Sequence, residues 1–159
     1  MSVDIRAYHP DDAATLFAIF VEAVRIGAAD HYTPAQRLAW APDTDMAEDW
    51  PSKLASLDTH VAEEGGEIAG FMAATPQGYI DLAFVRPRWM GRSVAQALYD
   101  CILERAFGNK LTHLTTHASL LARPFFARQG WQVDTTEKID RNSEVLMRFA
   151  MSVKLGETP

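Results

Sequence analysis

The sequence predicts a mixed α/β domain in which strand hairpins surround one central strand–helix unit. One observation behind this prediction is the stretch at 79–99, YIDLAFVRPRWMGRSVAQALY, where an apolar strand, a basic turn and a helix follow one another. The other is the order of strand-like and helical patterns along the chain, β-α-α-β-β-β-α-β-α-β-β. Because the 159 residues contain no repeat or long linker, we expect one domain at residues 1–155 and a short tail at 156–159.

Composition restricts the classes of partner. The net charge of −6, with 48% hydrophobic and 23% charged residues, argues against a nucleic-acid partner. No apolar run approaches the roughly 20 residues that span a membrane, and the N-terminus lacks the organisation of a signal peptide. We therefore expect no membrane partner, a cytoplasmic location and no bound metal. The single cysteine, Cys101, excludes an internal disulfide and lies on an apolar helix face, where it is expected to pack.

The elements before the central stretch follow from alternation, apolar periodicity and turn residues. Asp11 or Asp12 is expected to cap the first helix. Thr33 and Pro34 begin a short helix, because a cap residue followed by proline is typical of a helix start. The predicted elements are a strand at 3–8, a helix at 13–27, a short helix from 34 that ends before Pro42, a helix at 46–57, and hairpin strands at 59–63 and 67–75.

The central stretch begins with the strand at 79–85, which is rich in β-branched and aromatic residues. Pro87 ends this strand, because proline cannot donate a hydrogen bond to a neighbouring strand. The helix that follows begins near Ser93 and ends at Gly108. The later predicted elements are a strand at 111–117, a helix at 120–129 capped by Ser119, and a hairpin of strands at 131–137 and 146–154.

The basic turn at 86–92 has the features of an anion site. Arg86, Arg88 and Arg92 lie within seven positions, and Gly91 permits a tight turn. The first amides of the following helix have no partners within the helix, and the helix dipole favours negative charge there. A phosphate-loop nucleotide site is disfavoured, because no lysine followed by serine or threonine comes after the glycine.

The order of elements and the motif at 85–95 resemble the GNAT superfamily of acetyl-CoA-dependent N-acetyltransferases. In that family the fourth strand ends in hydrophobic-x-Pro, and Gln/Arg-x-x-Gly-x-Gly/Ala follows at the helix start. The equivalents here are Val85-Arg86-Pro87 and the segment from Met90 to Ala95. Met90 stands where Gln or Arg is usual, and Ser93 stands where Gly is usual.

A second motif of the family, Asn-x-x-Ala-x-x-x-Tyr-x-x-x-Gly-Phe, is similar to the segment at 119–131. The spacing is kept, but Ser119 replaces the Asn and Phe126 replaces the Tyr. The resemblance spans residues 3 to about 154. Three further segments, YTPAQRLAWAP, GYIDLAFV and HASLLARPFFARQGW, are similar to a subgroup of uncharacterised bacterial acetyltransferases within the family.

The resemblance implies a GNAT-like fold, with a central, mostly antiparallel mixed sheet of about six or seven strands flanked by helices on both faces. It implies transfer of an acetyl group from acetyl-CoA to a primary amine of a small molecule or peptide, by direct attack in a ternary complex. Members of the family often dimerise, so a homodimer stays open.

The resemblance also implies the residues that contact acetyl-CoA. The end of the central strand would bind the pantetheine arm through its backbone, and an N–H group there would polarise the thioester carbonyl. The implied cofactor-binding residues are Phe84, Val85, Met90, Gly91, Arg92, Ser93, Val94, Ala95, Ser119 and Phe126. The three arginines would neutralise phosphate charge, although a solvated basic loop is an equal alternative.

Two departures from the family pattern bear on the tightness of CoA binding and on catalysis. Ser93 adds a Cβ and a hydroxyl beside the phosphates, which shifts a phosphate or supplies a donor. Phe126 stands where the family's tyrosine acid is usual and cannot donate a proton. Either water or another side chain then protonates the departing thiolate, or turnover is impaired.

Asp81 is the candidate catalytic base. A carboxylate within the apolar strand at 79–85 is costly unless it is paired or functional, and its position resembles that of the glutamate base in the family's histone acetyltransferases. A structural carboxylate paired with a cation is the alternative, and Asp81 could also bind a cationic acceptor. His113 and His117 are further candidate proton carriers, each of which could equally be structural.

The acceptor pocket is predicted to use the aromatic segment after the first helix. Tyr32 and Trp40 would contact the amine-bearing substrate together with Asp81, unless they are packing anchors. Trp89 would cover the cofactor entrance, and three acidic residues would suit a basic acceptor if they faced the cleft: Glu48, Asp49 and Asp58.

One alternative from a different functional class stays open. The chain could be an acyl-CoA-binding sensor or partner module with little or no turnover. Met90, Ser93 and Phe126 favour this alternative, because each departs from the family pattern at a site of binding or proton transfer.

Overall fold

The computed structural model describes residues 3–156, so the last three residues of the tail predicted at 156–159 lie outside it. Seven strands form one sheet in the order β1-β2-β3-β4-β5-β7-β6. Their bounds are β1 Asp4–Ala7, β2 Asp58–Glu64, β3 Glu67–Ala74, β4 Tyr79–Val85, β5 His113–Ser119, β6 Gln132–Arg141 and β7 Glu144–Lys154.

Within residues 3–156, five α-helices cover the sheet. Their bounds are α1 Ala13–Glu22, α2 Pro34–Trp40, α3 Trp50–Ser56, α4 Val94–Gly108 and α5 Arg123–Arg128. A π-helical turn at Ala23–Gly27 extends α1, and short 3₁₀ turns precede α1 at Pro10–Asp12 and follow β4 at Pro87–Trp89. No helix within residues 3–156 is long and apolar enough to cross a membrane.

The two faces of the sheet bury separate apolar clusters, because successive side chains of a strand point to opposite faces. On β3, Met72 packs with Leu98 of α4 and Phe126 of α5, whereas its neighbour Phe71 packs with Leu16 of α1 and Leu54 of α3. Fully burying each such side chain contributes about 1.5–3 kcal/mol. The expected fold, a mostly antiparallel mixed sheet with helices on both faces, is confirmed.

The sheet contains one parallel pair, β4 with β5, and this pair is short. Only Tyr79 with Thr115 and Ile80 with Thr116 are in register. All the other neighbouring strands are antiparallel and pair over most of their length. Beyond Ile80 the two strands diverge, so residues 81–85 of β4 face a gap where a neighbouring strand would otherwise lie.

A β-bulge interrupts β4 at Asp81. In the register with β3, Ala73 pairs with Leu82 and Ala74 pairs with Ile80, which leaves Asp81 as the extra residue. Ile80 consequently packs on the α4 face and Leu82 on the α1 face, although residues two apart in a regular strand share a face. The bulge therefore turns Asp81 towards the side of α1 and α3.

The element order and most bounds agree with the sequence prediction, with three differences at helix starts. Asp12 precedes α1, but its carboxylate accepts from Arg6 and the His9 N–H and makes no cap hydrogen bond to α1. The helix predicted at 46–57 begins at Trp50, next to Pro51 in its first turn, and the preceding residues 42–49 are exposed. The helix predicted at 120–129 begins at Arg123 with Pro124, because the Ser119 hydroxyl accepts the Ala122 N–H and forms a separate turn.

Candidate active site

The gap between β4 and β5 connects two cavities, one on each face of the sheet. The large cavity, about 450 Å³, lies mainly beside α4 and α5, and it also contacts Ala23 and Val24 after α1. The small cavity, about 270 Å³, lies on the face of α1 and α3. The residues that border both are Trp40, Ala83, Phe84, Ser119, Ala122 and Phe126. The two cavities therefore adjoin one another at this gap.

Unpaired backbone amides lie at the mouth of the large cavity. After the 3₁₀ turn, Gly91 has a φ of 78° and Ser93 a φ of 67°, and α4 begins at Val94. Within residues 3–156, the amides of residues 91 and 93–96 donate no hydrogen bond. Met90, Gly91, Ser93, Val94 and Ala95 all line this cavity. Consecutive free N–H groups before a helix form a concave site suited to an anion.

The three arginines of the turn differ in their contacts. Arg86 donates to the Ile68 carbonyl at 2.8 Å and pairs with Glu22 at 3.1 Å. Arg88 pairs with Glu67 and lies over the Trp89 ring, 4.0 Å from its centroid. Arg92 is exposed, and across residues 3–156 its side chain forms no hydrogen bond or ion pair. Of the three, Arg92 is thus the guanidinium available to an anion.

Trp89 lies inside the protein and does not cover an entrance. Its ring is 7% exposed and lines the large cavity from within. The indole Nε1 donates to Glu64 at 2.7 Å. A basic residue that the sequence analysis did not single out, Arg128 of α5, lines the opposite side of the same cavity.

The end of β4 presents backbone to the gap. The Arg86 N–H donates to the Ala69 carbonyl on the β3 side, at 2.8 Å. Because peptide groups alternate between the two neighbours of a strand, the Val85 N–H points to the opposite side, towards the gap. The Phe84 ring packs on the α1 face, 5.1 Å from Phe20 and 5.8 Å from Phe71 between ring centroids.

Phe126 and Ser119 form the floor where the two cavities meet. The Phe126 ring is 2% exposed and packs 4.8 Å from Trp131 between centroids. Nearby, the Tyr99 hydroxyl accepts from Trp131 Nε1 at 2.8 Å and is buried with it. The tyrosine of the family motif is therefore replaced here by a purely apolar contact.

Asp81 lines the small cavity from the bulge of β4. Its Oδ2 lies 3.5 Å from Lys53 Nζ, and its side chain is 30% exposed. This ion pair agrees with the structural alternative for Asp81, while the position beside the gap agrees with a base.

Tyr32 and Trp40 form an aromatic wall of the small cavity. The Tyr32 hydroxyl donates to the Met147 carbonyl at 2.7 Å and accepts from the Leu120 N–H at 2.9 Å. Burial raises the pKa of Tyr32, so the phenol stays protonated. Trp40 packs edge-on against it, at 5.5 Å between centroids. The two hydrogen bonds of the Tyr32 hydroxyl therefore hold this side chain in place. The Trp40 ring borders both cavities.

The two candidate histidines lie in different places. His117 lines the small cavity, with Nδ1 2.8 Å from the Tyr79 hydroxyl and Nε2 3.7 Å from Glu137. Burial, with a smaller effect of Asp81, raises the pKa of Tyr79. His113 is exposed on the same strand and contacts Thr112.

The acidic residues considered for a basic acceptor lie outside the cavities. Glu48 and Asp49 are exposed before α3, and Asp58 pairs with Arg105 at 2.9 Å. Instead, the small cavity has basic residues that the sequence analysis did not single out, namely Lys53, Arg141 and Arg148. Alternation along the predicted last strand puts Arg148 on the same face as Leu146. Its position beside the gap, however, depends on the pairing of β7 with β5, which sequence patterns do not show.

The comparisons with known proteins identify the family of the chain. A model of the acetyltransferase (GNAT) domain matches residues 28–152. The uncharacterized N-acetyltransferase YafP of Escherichia coli K12 is 34% identical over 153 residues, which cover 96% of this chain and 97% of YafP. It is a bacterial relative of the kind that the three sequence segments predict.

Solved structures show the same fold. A GCN5-related N-acetyltransferase from Rhodopseudomonas palustris has a TM-score of 0.87 and 31% identity, over 98% of this chain and 97% of that one. The PaiA N-acetyltransferase of Thermoplasma acidophilum, solved in complex with coenzyme A, has a TM-score of 0.77 and 16% identity, over 98% and 100% of the two chains. From the domain match and these relatives, the chain belongs to the GNAT acetyltransferase family.

Proposed function

We propose that this protein transfers the acetyl group of acetyl-CoA to a primary amine of a small molecule or peptide, by direct attack in a ternary complex. The observation that carries the proposal is the gap between β4 and β5, which joins a cavity with free backbone amides to a second cavity with a carboxylate. Cofactor and acceptor would then enter from opposite faces of the sheet and meet at the strand end. In this proposal, residues 1–155 form one domain that contains both cavities.

The large cavity has the chemistry that acetyl-CoA requires. The free amides of residues 91 and 93–96 suit the pyrophosphate, and Arg92 and Arg128 add positive charge at its rim. On the side of the gap, the backbone at 81–85 has no strand partner, and its groups there suit the amide groups of pantetheine. PaiA, which has the same fold, binds coenzyme A.

Acetyl-CoA supplies an acetyl thioester, and residues of this chain would act on its carbonyl and on the attacking amine. The Val85 N–H would donate to the carbonyl oxygen and stabilise the negative charge that develops there. Asp81 would accept a proton from the amine, directly or through water. The amine nitrogen bonds to the carbonyl carbon as the carbon–sulfur bond breaks. Because Phe126 cannot donate a proton, water in the large cavity would protonate the thiolate, and the hydroxide left behind would take up the proton that Asp81 received, through solvent.

The second candidate function is an acyl-CoA-binding module without turnover. The Lys53–Asp81 ion pair favours it, because one oxygen of this carboxylate already has a cation as its partner. Phe126 favours it too, because no side-chain hydroxyl replaces the usual acid at that position.

The experiment measures acetyl-CoA binding by calorimetry and thiol release with a panel of amines. We expect the wild type and Asp81→Asn to bind acetyl-CoA equally, and Asp81→Asn to lower kcat/KM by about 10²-fold or more. Asp140→Asn, an equivalent change on an exposed position of β6, is the control and should keep the wild-type rate. Absence of acetyl-CoA binding would refute the proposal, and binding without amine-dependent thiol release would favour the module.

A further inference from the structure

We propose that the small cavity selects an amine that also carries a carboxylate, that is, an amino acid, and that Arg148 binds this carboxylate. The inference rests on the proposed function, because it names the substrate class of the same site.

The charged residues that line the small cavity are mostly basic, whereas the whole chain has a net negative charge. The protein has 21 acidic and 15 basic residues. Among its charged residues, the cavity lining has three that are basic, Lys53, Arg141 and Arg148, and one that is acidic, Asp81. Asp81 is already paired with Lys53 and Arg148 with Glu137, so the uncompensated positive charge comes from Arg141, while Arg148 keeps free N–H donors. Such a lining attracts an anionic group and disfavours an acceptor with several positive charges.

The strand register places Arg148 beside the gap. On β7, Arg148 pairs with Ser119, the last residue of β5, which borders both cavities. Neighbouring strands lie about 5 Å apart. The backbone of Arg148 is therefore separated by one strand, β5, from the gap where the amine would be acetylated. An α-carboxylate, which lies two bonds from its amine nitrogen, would fall within reach of this guanidinium.

The contacts of Arg148 orient it and leave donors free. Its Nε donates to Glu137 Oε1 at 2.9 Å, and within residues 3–156 its two terminal nitrogens donate no hydrogen bond. Those nitrogens can form the paired hydrogen bonds with which arginine binds a carboxylate. Glu137 also lies near His117, so Arg148 is held in a polar network on the cavity wall.

Arg141 adds a second positive charge at the outer wall. The hairpin tip next to it is fixed to α2, because Asn142 Nδ2 donates to the Ala39 carbonyl at 2.7 Å and Gln36 Nε2 donates to the Val145 carbonyl at 2.9 Å. Across residues 3–156 the Arg141 guanidinium itself forms no hydrogen bond or ion pair. A rigid position with an uncompensated charge increases the attraction of the cavity for an anion.

The size and walls of the cavity narrow the class further. Its volume of about 270 Å³ is below the roughly 300–1,000 Å³ of cavities that hold drug-sized ligands, which suits one amino acid better than an extended peptide. The other walls are aromatic, from Phe20, Tyr32, Trp40 and Trp50, so an apolar or aromatic side chain would fit there.

The test uses matched pairs of acceptors that differ only in the carboxylate. The pairs are phenylalanine with 2-phenylethylamine, leucine with 3-methylbutylamine, and tryptophan with tryptamine. For each protein we measure kcat/KM by thiol release at saturating acetyl-CoA and take the ratio of amino acid to amine. Amine basicity differs within a pair, but this difference cancels when the ratio is compared between proteins.

We expect the wild type to prefer the amino acid by tenfold or more in at least one pair. Arg148→Gln should lower that ratio at least fivefold, Arg148→Lys should lower it less, and Arg141→Gln should lower it about twofold. Lys138→Gln is the matched control, because it removes one positive charge from an exposed position of the same hairpin, on the other face of the sheet. Its ratio should equal that of the wild type.

Two results would overturn the inference: a wild type that prefers the amines without a carboxylate, or an equal ratio in Arg148→Gln and Lys138→Gln. Acetylation of those amines alone would refute the inference and leave the proposed function intact. If no amine is acetylated, calorimetry of phenylalanine and 2-phenylethylamine decides instead. Tighter binding of phenylalanine that is lost in Arg148→Gln supports a carboxylate site, and equal binding contradicts it.

Discussion

Ser93 should limit the stability of the protein, and Ser93→Gly should increase it. Ser93 has a φ of 67° and a ψ of 5°, and its side chain forms no cap hydrogen bond. The left-handed conformation costs a residue with a Cβ about 1–2 kcal/mol. Glycine avoids this cost but has more conformational freedom in the unfolded chain, which offsets about 0.4–1 kcal/mol. The net expectation is an increase of about 0.5–1 kcal/mol in the free energy of unfolding.

Urea and thermal unfolding measure this effect. With an m-value of about 2 kcal/mol/M, the urea midpoint should rise by about 0.25–0.5 M without a change in m, and Tm should rise by about 1–4 °C. Ser143→Gly is the matched control, since Ser143 has a φ of 70° in the turn between β6 and β7, far from the large cavity. Both variants should be stabilised, and only Ser93→Gly should change acetyl-CoA affinity. A neutral or destabilising effect at both sites would refute the reasoning from backbone conformation.

Two further predictions concern buried polar groups. Tyr32→Phe should lower the free energy of unfolding by about 1–3 kcal/mol, measured in urea, because it leaves the Leu120 N–H and the Met147 carbonyl without their partner; an unchanged midpoint would contradict the anchoring role. Asp12→Asn should cost about 1–2 kcal/mol at pH 7, because hydrogen bonds from Arg6 and the His9 N–H lower the pKa of Asp12 in the folded protein. A lowered folded pKa gives stability that is present above the unfolded pKa near 4 and is lost as pH falls through the folded pKa, so the difference between wild type and variant should shrink below about pH 4. A constant difference from pH 7 to pH 3 would show that the carboxylate charge is not its source.

Features set by local sequence could be predicted, and those set by pairing between distant residues could not. The bounds of β4 follow from Gly78 before it and Pro87 after it, because these residues act on their own segment of backbone. The basic turn and the start of α4 were predicted for the same reason. The bulge at Asp81 was not, since it exists only in the register with β3.

The candidate site divides in the same way. The motif residues from Met90 to Ala95 line the large cavity as predicted, although their role in binding stays a prediction. Arg148 was missed because its place beside Ser119 depends on a strand pairing between distant segments. The sequence also overstates the positive charge that the basic turn offers to an anion. Arg86 and Arg88 are paired with Glu22 and Glu67, which lie elsewhere in the sequence.

The short pairing between β4 and β5 has a consequence for the cooperativity of the fold. The backbone ladder of the sheet is continuous within β1–β4 and within β5–β7, but two residue pairs join these halves. The two halves are therefore coupled mainly by the apolar core on the α4 face, which contains residues of both, and little by the backbone ladder. A molecule bound along the gap would supply the missing ladder contacts to both halves, so part of its binding free energy would be measured as stability of the sheet.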